Sequence, residues 1–277
     1  MPNQINSILW KLRENKKTLN IVTEFYDEKT LFDLSKTNHN FFILPKNNQN
    51  GWNNFFRKKP DNISVLKNYE ECFFSLSEYA FDVFLSFTGK WDYLSLHFGI
   101  PKIKPLKTIG IDEDLFLPNE IKSEVFLYVN GSSKINLEDV RYITKGLNFV
   151  SLDDNNRRKF EDLLNLYKSS MVYINFSKTN KLSQSMLEAM SCACCPLAFD
   201  SEENRKIIKH GENGFLFNSK EEARVICEKL LVSKDFLKSI CNNARKTIVE
   251  KFSFSSFINE WNDHINNSLN LKWWETI

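Results

Sequence analysis

The chain has 277 residues, 42% of them hydrophobic and 26% charged, with a formal net charge of +2. That length is too great for one small core and fits two domains of ordinary size, and the composition excludes disordered and fibrous classes. The charge is too mild to announce a nucleic-acid binder, although basic clusters stand at Lys11, Arg13, Lys16 and Lys17 and at Arg57, Lys58 and Lys59, where solvated surface lysines are the simpler account.

In chain order, the opening MPNQINSILWKLRENKK reads neither as a signal peptide nor as a spanning helix, because its apolar patch is short and charges follow it. From Leu19, short apolar runs alternate with amphipathic stretches: LNIVTEF, EKTLFDLSK, FFILP, NISVL, YEECFFSLSEYA and FDVFLSF. This is the rhythm of an α/β layered domain. FDVFLSF suits a strand covered on both faces, and WDYLSLHFG reads as a helix stopped by Gly99. Pro101, Pro105 and Pro118 then punctuate a stretch without periodicity, and a domain boundary is expected near residue 107, giving domains 1–107 and 108–277.

The second half alternates more cleanly. EVFLYVNG predicts a strand and turn, INLEDVRYITKG a helix with a glycine stop, LNFVSL a strand, and RRKFEDLLNLYKSS a helix by its apolar spacing. MVYINFS predicts the next strand, SQSMLEAMSCA a helix, PLAFD a strand, EENRKIIKHG a helix closed by Gly211, and three helical stretches follow GFLF. The order is that of a parallel, doubly wound sheet, which binds ligands outside the carboxyl ends of its strands. The loops after Val129, Val150, Phe176 and Phe199 are therefore the places to look for a site.

One of these loops, SKTNKLSQ, enters the helix SMLEAM. Unpaired backbone amides of Ser185, Met186 and Leu187 at a helix start, with the positive end of the helix dipole, suit a diphosphate. Glu188, one turn inside, is placed to accept hydrogen bonds from two vicinal hydroxyls of a ribose. Most helical glutamates merely face water, so the flanking residues decide the matter.

Those residues are LSQSMLEAMSCACCPLAF, then IIKHGENGFLF, then NARKTIVEKFSFSSFINEW. Together they resemble the C-terminal domain of the large retaining glycosyltransferase family of GT-B fold, the group 1 or family 4-like enzymes, where an EAMA-type helix, an apolar strand, an NG-F turn and an AR–F–W tail follow in this order. KTNHNFFIL, Trp52, the stretch from Arg57 to Pro60 and IGIDEDLFLP bring the resemblance nearest to the short glycosyltransferases encoded by bacteriophages. The resemblance implies two Rossmann-like domains facing across a cleft, the first reduced, with the last helix crossing back. It implies a nucleoside diphosphate sugar as donor, a UDP-sugar first, with no separate cofactor and no metal. It carries diphosphate contacts to Ser185, Met186 and Leu187 and ribose contacts to Glu188.

Several positions depart from the family pattern. A second glutamate, eight positions before the first, is Asn180 here. A basic pair in the first loop of the second domain is replaced by NGSSKIN, leaving Gly131, Ser132, Ser133 and Lys134 to hold the phosphates, with Lys134 the cation that faces the leaving diphosphate. The acceptor-side histidine of the family has no clear counterpart; His97 is the nearest substitute, and His39 reads as a turn residue before a strand. Cys192, Cys194 and Cys195 are poorly spaced for one zinc site and read as packing, like the other cysteines, as expected of reduced thiols in a cytoplasmic protein. Trp273 and Trp274 fit either an anchor for the crossing helix or an interface with a second subunit. The resemblance makes a modified base in double-stranded phage DNA, such as hydroxymethylcytosine, a candidate acceptor. The missing charge at Asn180 leaves a catalytically silent nucleotide or partner binder as the rival reading.

Overall fold

In the computed structural model the described residues are 17–44, 52–53, 57–66, 81–123, 126–129, 137–152, 159–176 and 181–271. The chain divides into two compact units, one of Met1–Thr108 with Ser255–Ile277 and one of Ile109–Phe254.

In the first unit, β1 (Asn20–Glu24), β2 (Asn40–Leu44), β3 (Ile63–Val65), β4 (Val83–Leu85) and β5 (Lys102–Ile103) form a sheet in the order β3-β2-β1-β4-β5. Every pairing is parallel, with Ile21 opposite Val83 and Glu24 opposite Leu44. The central strands β1 and β4 are buried along nearly their whole length, and β4 accordingly reads as an unbroken apolar run. Helix α1 (Glu28–Leu34) starts at Asp27, whose carboxylate accepts the Thr30 amide at 2.8 Å. Helix α2 (Tyr93–Phe98) ends at Gly99, whose φ of +61° is the left-handed cap the glycine was expected to supply. The proline-marked stretch shows no periodicity in the sequence, yet β5 lies inside it; two residues between prolines are too few to show a period.

In the second unit, β6 (Phe126–Val129), β7 (Phe149–Leu152), β8 (Val172–Asn175), β9 (Cys195–Phe199) and β10 (Phe215–Phe217) pair in parallel in the order β10-β9-β8-β6-β7. Helices α3 (Leu137–Ile143), α4 (Phe160–Ser169), α5 (Gln184–Ser191), α6 (Glu202–Arg205), α7 (Lys220–Val232) and α8 (Lys234–Lys251) join and follow the strands. Side chains of β8 and β9 alternate between two cores: Tyr173 and Ala198 enter one with Met186 and Met190, while Val172, Ile174, Cys195 and Leu197 enter the other with Val140 and Ile226. Each fully buried aliphatic side chain contributes about 1.5–3 kcal/mol, so the two faces hold the sheet from both sides.

The helix expected over 202–211 stops at Arg205. The Ile207 and Ile208 amides both turn back to the Asn204 carbonyl, and the Asn213 side chain takes the Lys209 amide at 2.7 Å, so the chain leaves the helical path before Gly211. Gly214 has a structural reason: a Cβ there would stand 2.5 Å from Pro196 Cγ and 2.9 Å from its carbonyl oxygen.

The last helix, α9 (Phe254–Asn267), falls mostly in the first unit and buries Phe257, Trp261 and Ile265, spaced four apart on one face. His264 Nε2 lies 2.8 Å from the Lys104 carbonyl. Trp273 and Trp274 lie outside the described residues. Among the described residues no helix is long and apolar enough to cross a membrane.

Candidate functional site

In a doubly wound sheet the crevice opens where strand order reverses. In the second unit that point lies between β6 and β8, because the chain passes from β6 to β7 on one side and then to β8 on the other. Strand β8 ends at Asn175, whose side-chain amide lies 3.7 Å from Met186 Sδ and ties the strand end to the start of α5. Ser183 is the N-cap, and its hydroxyl accepts the Met186 amide at 3.3 Å.

The helix therefore starts at Gln184, one residue before the Ser185 at which the unpaired amides were placed and one after the first residue of the predicted SQSMLEAMSCA. The Met186 and Leu187 amides both turn to the Ser183 carbonyl, at 3.1 and 3.2 Å. Of the three amides expected to be unpaired, only that of Ser185 remains outside the helix's own bonding, joined by Gln184. The shift follows from the capping preference of Ser183, which the reading assigned to the loop.

Glu188 is 6% exposed, so it is not a solvated helical glutamate. It lies close to Tyr167, whose hydroxyl is pushed well above its ordinary pKa, first by burial and then by the Glu188 carboxylate. An ionisable side chain in so dry a place at a strand-end crevice is a functional candidate on physical grounds. Lys134, Asn180, Gly131, Ser132 and Ser133 lie outside the described residues, as does the side chain of His97.

Several motif residues turn out to be scaffold. Arg245 of the NARK stretch donates to the carbonyls of Phe116 at 3.0 Å, Glu113 at 3.2 Å and Ser191, clamping the segment that opens the unit to the end of α5. Asn213 donates to Ile207 O at 3.0 Å and Thr247 Oγ1 at 2.9 Å, closing the turn before β10. Cys192, Cys194, Cys195, Cys227 and Cys241 are buried and free. Burial raises their thiols, to about 12 for Cys227 and Cys241, which keeps them protonated and inert. Among the described residues no group of three or more His, Cys, Asp or Glu is placed to hold a metal ion.

The basic stretch from Arg57 to Lys59, expected to be solvated surface, is largely committed within the fold. Arg57 is 8% exposed, 3.7 Å from Asp33 and stacked over Phe32. Lys59 Nζ donates to the carbonyls of Pro60 and Ile63. His39 is buried at the turn before β2 and accepts the Leu19 amide on Nδ1 at 3.2 Å. Burial lowers its pKa against the opposing pull of Asn262 and Asp82.

The sequence reading missed a polar network in the first unit. Its sheet reverses order between β1 and β4, and Glu24, 4% exposed, sits at the carboxyl end of β1. Its carboxylate accepts the Thr88 amide at 3.2 Å and the Thr88 hydroxyl, with the Ser86 hydroxyl oxygen 3.4 Å away. The single Ser86 proton goes to the nearer Asp92, which pairs with Lys102 at 2.6 Å. Partial burial pushes the Asp92 pKa up, but the hydrogen bonds from Lys102 and Ser86 and the nearby lysine charges outweigh it and hold the acid below its ordinary value. The strand-end rule that selected loops in the second half pointed here equally.

Residues 156–247 match the family described as glycosyl transferases group 1. An uncharacterized glycosyltransferase of Methanocaldococcus jannaschii is 30% identical over 153 residues, covering 52% of this chain and 38% of that relative. The chain thus spans well under half the length of that curated relative. The Anabaena protein HepE, solved with UDP and glucose, shares the fold at a TM-score of 0.66 and 11% identity, covering 90% of this chain and 100% of that one. AviGT4, a glycosyltransferase involved in avilamycin A biosynthesis, does so at 0.61 and 11%, covering 91% and 98%. The fold is therefore α/β of the GT-B type.

Proposed function

We propose that the chain transfers a sugar from a nucleoside diphosphate sugar, a UDP-sugar first, to an acceptor hydroxyl with retention of configuration. The observation that carries this reading is the buried Glu188 one turn inside a serine-capped helix at the β6/β8 crevice, within the matched residues 156–247. On this reading the diphosphate meets the first amides of α5, Glu188 holds the ribose, and Lys134 meets charge developing on the leaving diphosphate. Asn180 faces the donor sugar, and His97 stands on the acceptor side. Catalysis rests on positioning and charge stabilisation, without a covalent enzyme nucleophile or a metal. Donor binding belongs to the second unit and acceptor binding to the first.

A modified base in duplex DNA is the weaker acceptor, since Arg57 and Lys59 are spent inside the fold. Duplex affinity that falls steeply with salt is the signature that would restore it. Incubation with a panel of nucleotide sugars tests the main reading: release of sugar or its transfer supports it, and neither turnover nor binding with any donor sinks it. The missing charge at Asn180 favours one rival, a nucleotide binder without turnover. That rival predicts thermal stabilisation by nucleoside diphosphates with no product from any donor.

A further inference from the structure

A tyrosine stands beside the start of α5. Tyr167, in the last turn of α4, is fully buried, and its ring packs against Phe116 and Tyr173 with centroids 6.3 and 6.2 Å away. These rings share one core with Met186, Leu187 and Met190 of α5, so close packing fixes the side chain. The backbone is held as well, since the Tyr167 carbonyl takes the Cys194 thiol at 3.2 Å.

The hydroxyl of this tyrosine has no evident reason to be there. Among the described residues it meets no hydrogen-bond partner, although the Ser185 side chain and the Glu188 carboxylate are among the polar groups around it. A buried hydroxyl left unpaired costs stability, and a phenylalanine would fill nearly the same volume without that cost. Burial and then the Glu188 charge raise its pKa, so the proton stays on the oxygen and the group remains a donor. What it lacks is an acceptor. A carboxylate has about four lone-pair sites on two oxygens, enough to take a tyrosine on one oxygen and a ribose on the other. Ser185, only partly buried, carries the same line of polar groups from the core out to the crevice.

We propose that Tyr167 is a positioning residue of the nucleotide site: with a nucleotide in the crevice, its hydroxyl donates to one oxygen of Glu188 and leaves the other turned to the vicinal hydroxyls of the ribose. The inference rests on the reading of Glu188 as the ribose contact, and adds to it a group that touches no ligand itself. The hydroxyl lowers the stability of the unliganded chain and fixes the carboxylate of the liganded one, a division of roles common at functional sites.

Calorimetric titration of the full chain with UDP and with its dideoxyribose analogue, which lacks both vicinal hydroxyls, tests this alongside thermal unfolding of the unliganded protein. Tyr167→Phe should bind UDP about three- to tenfold more weakly than the parent. Its affinity for the dideoxy analogue should be unchanged, and its melting midpoint should equal or exceed the parent's. Parent-like UDP affinity in the variant, an equal loss for both nucleotides, or a loss accompanied by a lower midpoint would each overturn the role. UDP bound equally by parent and variant removes this inference alone, whereas a parent that binds no UDP strikes the nucleotide reading itself.

Discussion

Replacing Arg245 with Met keeps the aliphatic stem and removes the guanidinium donors to Phe116, Glu113 and Ser191. Charge-assisted hydrogen bonds contribute about 1.5–3 kcal/mol each when considered singly. These share one group, two of them one nitrogen, and the side chain is only partly buried, so their losses do not add and the expected cost is about 2–4 kcal/mol. With a urea dependence of ~1–3 kcal/mol per molar, the midpoint of unfolding followed by far-ultraviolet circular dichroism should fall by about 1 M or more. Arg245→Lys keeps the charge but not the fork, and should land between the two. A Met variant as stable as the parent would refute the clamp.

Three further outcomes follow from the structure. Gly214→Ala forces a methyl against Pro196 on the neighbouring strand and should destabilise by about 1–3 kcal/mol in the same unfolding assay; a neutral result contradicts the close approach. Glu188→Gln should weaken UDP binding by calorimetry roughly ten- to a hundredfold, the loss of a charged hydrogen-bond acceptor, while unchanged affinity would remove Glu188 from the site. His39 has its folded pKa lowered by burial, so the unfolded chain binds more protons below about pH 6.5 and stability, full above that pH, falls as pH falls. The melting temperature of His39→Asn should depend less on pH between 5 and 7, and an identical profile would rule this histidine out as a source of that slope.

The layered alternation was legible because parallel strands buried on both faces write themselves as apolar runs, as in β4 and β8. β5 was not, since its two residues carry no period and its pairing, Phe84 opposite Lys102 and Leu85 opposite Ile103, is not local in the sequence. The end of α6 escaped for a related reason: it is set by the Asn213 side chain, which reaches back from the next turn. The helix after β8 was legible in the sequence, but its first residue was set by the Ser183 cap, so the amides outside its own bonding shifted toward Gln184. Resemblance marked Arg245, Asn213 and Gly214 without saying what they do, and only the coordinates reveal them as clamp, turn lock and close approach. The Glu24 network went unread because its partners, Ser86 and Thr88, are 62 and 64 positions distant.

The central claim is that the second unit holds a nucleoside diphosphate at the start of α5. Isothermal titration of the purified chain with UDP and with UDP-glucose tests it most directly. One saturable site, weakened in Glu188→Gln at unchanged melting temperature, is the predicted result. No heat of binding with either ligand, or with any other nucleoside diphosphate tried at millimolar concentration, would contradict it.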